Sequence, residues 1–177
     1  MKLLVLSDLH VECAPFRPVA FDADVVVLAG DVHNGAQAVR WARAWFPRHP
    51  IVQVAGNHEF YDGEYGETLA AMRTAAVEEG VFFLENASTV IGGVRFLGCT
   101  LWSDFRVFEV RERALSMTAA QAMQANLPLL ADYRAIAIDD GGARRRFAPA
   151  DAARLHCASR EWLERELAQS FDGPTVV

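Results

Sequence analysis

The sequence contains little cysteine and no long hydrophobic run. Its three cysteines, Cys13, Cys99 and Cys157, are odd in number and far apart, which argues against a disulfide framework and a cysteine-based zinc knuckle. The apolar run at residues 1–6 breaks at Ser7 and is too short for the core of a signal peptide. No stretch of the sequence approaches the roughly 18 apolar residues of a membrane span. We therefore expect a soluble cytoplasmic protein without a membrane partner.

Positive charge is not in excess either. The 17 lysine and arginine residues face 23 aspartate and glutamate residues, and the formal net charge is −6. A mildly acidic chain has no general attraction for nucleic acid, so we do not expect general nucleic-acid binding. The one dense basic run, at residues 144–146, follows Gly141-Gly142. It is predicted to lie in a flexible loop, with attraction of a phosphate group as the alternative.

The composition is that of a folded domain. Apolar residues make up 52% of the chain and charged residues 23%, which provides enough material for a core and argues against disorder. A length of 177 residues corresponds to one ordinary domain. We therefore predict a single domain over residues 1–177.

The first 80 residues alternate between strand-like and helix-like patterns. Apolar runs at residues 2–6, 24–29 and 51–55 are typical of buried strands. The second and third runs are each followed by apolar residues at helical spacing, and we predict a helix N-cap at Asn34 and a helix end at Gly80. This order predicts an α/β fold with a mostly parallel sheet covered by helices.

The pattern changes after residue 80. Short apolar runs around Gly92-Gly93 predict a β-hairpin. Residues 104–147 are predicted to form an inserted helical segment, in which Thr118 and Gln121 resemble a capping box. This segment, with Tyr133, either covers a functional site or presents a solvated helix face. A final helix is predicted over residues 149–169, followed by the start of a strand at residue 175.

Polar side chains follow each of the first three predicted strands. The carboxyl ends of parallel strands meet at one edge of a sheet, where ligand sites of open α/β folds lie. Each cluster alone is a weak signal, because an aspartate at a strand end is usually a turn residue. Their recurrence at intervals of about 25 residues indicates one shared site, formed by Asp8, His10, Asp31, Asn57, His58 and Glu59.

The residue types indicate metal chemistry. Carboxylate, imidazole and amide ligands suit divalent ions such as Mn²⁺, Fe²⁺ or Zn²⁺, and the lack of cysteine among them argues against a structural zinc site. Asp31, on the middle strand, can bridge two ions about 3.5–4 Å apart that activate a water molecule. His58 is placed to protonate a leaving oxygen or to stabilise the transition state. Glu59 is expected to orient that imidazole.

Three motifs resemble the first three signatures of the calcineurin-like metallophosphoesterase superfamily: Asp8-x-His10, Gly30-Asp31 and Gly56-Asn57-His58-Glu59. Residues 98–104 resemble a stretch in a bacterial subgroup of small phosphoesterases. The resemblance implies a two-sheet β-sandwich flanked by helices, and a hydrolase acting on phosphomonoesters, phosphodiesters or nucleotides. It implies that Asp8, His10 and Asp31 hold the first metal ion, that Asp31 and Asn57 belong to the second, and that His58 is the catalytic histidine.

The family pattern continues with a later strand-end histidine and a Gly-His-x-His motif, which this sequence lacks. Its only histidine after His58 is His156, which lies in a predicted helix and is not expected to be a ligand. We therefore expect the N-terminal portion of a phosphatase or phosphodiesterase, truncated at Val177, with at most one tightly bound metal ion where the complete family site has two. Self-association through the truncated edge is also expected. The alternative function is a catalytically weakened metal-binding scaffold.

Overall fold

The main sheet has four parallel strands in the order of the chain. The structure is a computed structural model that describes residues 1–107 and 117–177. Parallel neighbours require crossover connections, and helices provide two of them here. The strands are β1 (Leu3–Leu6), β2 (Val25–Ala29), β3 (Ile51–Val54) and β4 (Phe82–Phe83).

Two helices connect these strands, namely α1 (Ala36–Trp45) and α2 (Tyr65–Glu79). Helix α2 ends as predicted at Gly80, whose φ of 64° is the left-handed conformation that glycine adopts at low cost. The predicted N-cap at Asn34 is wrong, because α1 begins after Gly35 without a side-chain cap. The backbone N–H of Asn34 donates instead to Nδ1 of His33.

Alternating residues of β2 pack on two different layers. Val26 and Leu28 face the core shared with α1 and α2, whereas Val25 and Val27 belong to a second hydrophobic cluster. That cluster lies against a second sheet, in which β5 (Ala87–Ile91) pairs antiparallel with β6 (Val94–Gly98), and β6 pairs parallel with β9 (Thr175–Val176). Successive side chains of a strand point to opposite faces of the sheet, so β2 is buried on both faces. The predicted two-sheet sandwich flanked by helices is confirmed.

The inserted segment is only partly helical. Helix α3 (Ala119–Asn126) begins at the predicted capping box of Thr118 and Gln121, and a short helix α4 (Asp132–Ala135) follows. Residues 108–116, which the prediction of a helical segment over 104–147 includes, lie outside the described residues.

The second half of the segment corrects two predictions. Residues 137–146 form neither helix nor loop but an antiparallel hairpin of β7 (Ala137–Asp140) and β8 (Ala143–Arg146). Gly141 and Gly142 have φ of 65° and 91°, and positive φ at two successive positions is what the tightest hairpin turns require. The arginines of residues 144–146 therefore lie in a strand.

Helix α5 (Pro149–Ala168) follows the hairpin and confirms the last helix prediction. Its Asp151 is buried and accepts two hydrogen bonds from the guanidinium of Arg145, at 2.7 and 2.9 Å, and a third from the backbone N–H of Ala148. This ion pair fastens β8 to the first turn of α5. Within residues 1–107 and 117–177, no helix combines the length and apolarity needed to cross a bilayer. Self-association through the β9 edge stays a prediction.

The Asp151 ion pair predicts a pH-dependent stability. The hydrogen bonds from Arg145 lower the pKa of Asp151, so the stabilisation is present above the ordinary pKa of about 3.9 and is lost as the pH falls through the lower folded value. Asp151→Asn should lower the free energy of unfolding by about 1–3 kcal/mol at pH 7. In urea titrations the difference from the wild type should shrink below about pH 4.

Asp172→Asn is the matched control, since Asp172 is exposed and lies outside this contact. It should unfold like the wild type at each pH. A stability difference for Asp151→Asn that stays constant down to pH 2 would contradict the assignment.

Candidate metal centre

The loops after β1 and β2 are joined by backbone hydrogen bonds. The N–H of Asp8 donates to Gly30 O at 3.1 Å, and the N–H of His10 donates to Asp31 O at 3.0 Å. Asp8, His10 and Asp31 have φ of 54°, 44° and 55°, a left-handed conformation that is uncommon outside glycine. Such conformations cluster at functional sites, where the surrounding structure holds them.

These loops bring together three of the predicted ligands. One ligand atom from each of Asp8, His10 and Asp31 lies within 4.8 Å of the other two. Ligand bonds of about 2.0–2.2 Å allow one ion to reach all three after small side-chain adjustments. The donor set of two carboxylates and an imidazole also suits a borderline divalent metal, so these residues fit the ion that the motifs imply.

Two glycines permit the approach of the loops. A Cβ on Gly56 would lie 2.2 Å from Oδ1 of Asp31, and a Cβ on Gly30 would lie 2.7 Å from the backbone nitrogen of Gly56. Gly30 also has a φ of 91°, which a larger residue adopts only with strain. The two glycines therefore allow the Asp31 carboxylate to lie directly against the loop that carries Asn57 and His58.

The buried side chain of Glu59 joins the loop after β2 to the loop after β3. Its two oxygens accept hydrogen bonds from the backbone N–H of Asp31 at 3.0 Å, of Gly56 at 2.7 Å and of Val32 at 2.8 Å. Burial raises the pKa of Glu59, and the three N–H donors oppose that rise. Because both oxygens bind backbone amides, Glu59 positions the loops and not, as the sequence predicted, the imidazole of His58.

The partner of His58 is Glu12, which the sequence analysis missed. Nδ1 of His58 lies 3.0 Å from Oε1 of Glu12 and 3.2 Å from Nδ1 of His10. The imidazole stacks on Tyr61 with ring centroids 4.2 Å apart, and the backbone N–H of His58 donates to Oδ1 of Asp31 at 2.9 Å. These contacts fix the ring and leave Nε2 as the nitrogen available to a substrate.

Glu12 also contacts the metal-binding histidine predicted from sequence. Its Oε1 lies 3.4 Å from Nδ1 of His10. Burial acts to raise the pKa of Glu12, but hydrogen bonds from its own backbone, His58 and His10 lower it on balance. Ligand atoms of His10, Glu12 and His58 form a second group within 4.8 Å. The signal for Glu12 was its position two residues after His10.

Asn57 is held by a residue from the inserted segment. Its Nδ2 donates to Oδ1 of Asp132 at 2.7 Å and to the hydroxyl of Tyr61 at 3.1 Å. Asp132 lies 75 residues further along the chain, and nothing in the motif spacing marks it. His156, expected not to be a ligand, lies in α5 with Nδ1 2.5 Å from the carbonyl oxygen of Trp102.

A cavity of about 570 Å³ lies beside Asn57. The inserted segment contributes Asp132 and Tyr133 to its wall, and the chain after β6 contributes Thr100 and Trp102. Tyr133 is buried and lines this cavity, so this part of the inserted segment lies beside Asn57. A role of the segment as a cover over the site stays a prediction.

The Glu59 contacts predict a structural effect of substitution. In Glu59→Gln, one amide N–H₂ group must face a backbone N–H donor, so we expect the free energy of unfolding to fall by about 1–3 kcal/mol. Because the same bonds hold Asp31, Mn²⁺ affinity measured by calorimetry should fall as well. Glu78→Gln, at an exposed position on α2, is the control and should match the wild type. Unchanged stability with lost turnover would instead indicate a direct catalytic role.

Comparison with known proteins agrees with these motifs and this fold. The family model described as calcineurin-like phosphoesterase matches residues 1–168. Among solved structures, the phosphopantetheinyl hydrolase from Mycobacterium tuberculosis superimposes with a TM-score of 0.66 at 20% sequence identity, covering 98% of this chain and 66% of that chain. The chain thus spans just under two thirds of the length of that relative, and the likeness shows the fold. No curated protein sequence matches significantly. The family match covers nearly the whole chain, and the protein belongs to the calcineurin-like phosphoesterase family.

Proposed function

We propose that this protein hydrolyses phosphoric esters at a divalent-metal centre formed by Asp8, His10, Asp31 and Asn57. The observation that carries the proposal is the convergence of Asp8, His10 and Asp31, whose ligand atoms lie within 4.8 Å of one another. The family match supports metal-dependent phosphoester hydrolysis in general. The ions proposed are Mn²⁺, Fe²⁺ or Zn²⁺, which the mixture of donor types suits.

Bound metal ions in such a centre lower the pKa of a coordinated water and neutralise charge on the phosphoryl oxygens. Asp31 would contribute a ligand to both ion sites, because it lies between the loops that carry Asp8 and Asn57. Its Oδ1 accepts the backbone N–H of His58 at 2.9 Å, and its second oxygen remains for a metal ion.

His58 is proposed to donate a proton to the leaving alcohol oxygen. Its Nδ1 faces Glu12 and His10, and its ring is stacked on Tyr61, so the nitrogen left for a substrate is Nε2. A fixed imidazole with one free nitrogen is the arrangement that general acid catalysis needs. Glu12 performs the orienting role that the sequence analysis assigned to Glu59.

The proposed substrate is a phosphomonoester, phosphodiester or nucleotide. The 570 Å³ cavity beside Asn57 is large enough for the alcohol portion of such a molecule. A chromogenic phosphodiester is the first substrate to test. The cytoplasm is the proposed location, since Cys13, Cys99 and Cys157 are free thiols and free thiols persist in a reducing compartment.

The assignment of His58 predicts a separation of binding from turnover. His58→Ala should lower turnover of a chromogenic phosphodiester in the presence of Mn²⁺ by about 10²–10⁴-fold. The metal content, measured by elemental analysis after dialysis, should stay close to that of the wild type, because the proposed ligands remain. His49→Ala is the control, since His49 packs on Phe21 in the loop after α1, and it should keep full turnover.

Two other outcomes would change the account. Equal losses of metal and activity in His58→Ala would make His58 a ligand of the second group, with His10 and Glu12. Metal binding by the wild-type chain without Mn²⁺-dependent turnover would favour the scaffold function over the hydrolase.

A further inference from the structure

The orientation of the Asn57 carboxamide is determined by its neighbours. An ionised carboxylate offers only acceptor atoms, so the amide nitrogen of Asn57 must face Asp132, at the observed 2.7 Å. The carbonyl Oδ1, which is the atom that a metal ion binds, is then left on the other side of the group. The direction of the amide therefore follows from chemistry.

A second hydrogen bond strengthens this orientation. The hydroxyl of Tyr61 accepts from Asn57 Nδ2 at 3.1 Å and donates to Asp132 Oδ1 at 2.7 Å. Burial and the bond to Asp132 raise the pKa of Tyr61, so the phenol keeps the proton that it donates. Asn57 Nδ2 thus has two acceptors, Asp132 and the hydroxyl of Tyr61, and that hydroxyl itself donates to Asp132.

Asp132 is itself held against the loop that carries these residues. The N–H of Asp62 donates to Ala135 O at 3.0 Å, and the N–H of Ala137 donates to Gly63 O at 2.9 Å. The adjacent Tyr133 is buried in the main core. These bonds place α4 immediately beside the loop after His58, and they make the position of Asp132 a property of the fold.

We propose that Asp132 is a positioning residue that turns the Asn57 carboxamide so that Oδ1 faces the metal centre. Asp132 acts through Asn57 and binds no metal itself. The proposal rests on the proposed function, because it takes Asn57 to be a ligand. The inserted segment would then contribute to metal affinity, because α4 supplies the residue on which the orientation of Asn57 depends.

A double-substitution cycle with Mn²⁺ alone tests the proposal. Isothermal calorimetry measures the affinity of the Mn²⁺ site that includes Asn57, in the wild type, Asn57→Ala, Asp132→Ala and the double variant. Asp132→Ala should weaken binding by about 10–100-fold, the usual effect of removing a partner of a ligand. In the Asn57→Ala background the same change should have no further effect, because residues that act through one contact are not additive.

Three further variants complete the experiment. Asp132→Asn keeps an acceptor oxygen for Asn57 and should recover most of the affinity. Asp132→Ser, whose side chain is too short to reach Asn57, should lose as much affinity as Asp132→Ala, and it replaces Asp132→Ala in the test if the alanine variant folds poorly. Asp62→Asn removes the same charge from an exposed neighbouring position and should bind Mn²⁺ like the wild type.

The outcomes separate this inference from the proposed function. Wild-type affinity in Asp132→Ala and Asp132→Ser, with weakened binding in Asn57→Ala, would overturn the role of Asp132 and leave the metal centre standing. Equal losses from Asp132→Ala in both backgrounds would also overturn it, since Asp132 would then act independently of Asn57. An absence of Mn²⁺ binding by the wild type would contradict the proposed function itself.

Discussion

The carboxylate of Glu59 is the contact on which the geometry of the site depends. It is buried beneath the sheet edge and binds the backbone amides of Asp31, Val32 and Gly56, so it joins the loops that leave β2 and β3. Without these donors the buried carboxylate would be strongly destabilising. Without the carboxylate the three N–H groups would lose their hydrogen-bond acceptors. The loops and the carboxylate therefore require each other, and the glycines at Gly30 and Gly56 allow the contact to be this close.

Two further acidic residues complete the site around this central contact. Glu12 fixes the imidazole of His58 from the β1 side, and Asp132 fixes the amide of Asn57 from the inserted segment. Each carboxylate contacts a nitrogen of a residue that the proposal assigns to the centre. The proposed ligand Asn57 and the proposed acid His58 thus have their directions set by neighbours, which is how such sites reach the precision that catalysis needs.

Much of the fold, and the convergence of the candidate ligands Asp8, His10 and Asp31, followed from local sequence pattern. Buried strands of period two, the helix end at Gly80 and the polar strand ends depend on nearby residues, so the sequence predicts them. Contacts across 46 residues, as between Glu12 and His58, or 75, as between Asp132 and Asn57, have no local signature. The error at residues 137–146 has a related cause, because a Gly-Gly pair flanked by polar residues predicts a loop as readily as a hairpin turn.

The central claim is that the carboxylates of Asp8 and Asp31, with His10, bind a metal ion. Anomalous diffraction at the manganese absorption edge from crystals grown with Mn²⁺ tests it most directly. The account predicts a peak within ligand-bond distance, about 2.0–2.3 Å, of side-chain atoms of all three residues. A peak bound by His10, Glu12 and His58 without Asp8 and Asp31, or no peak near either group, would contradict it.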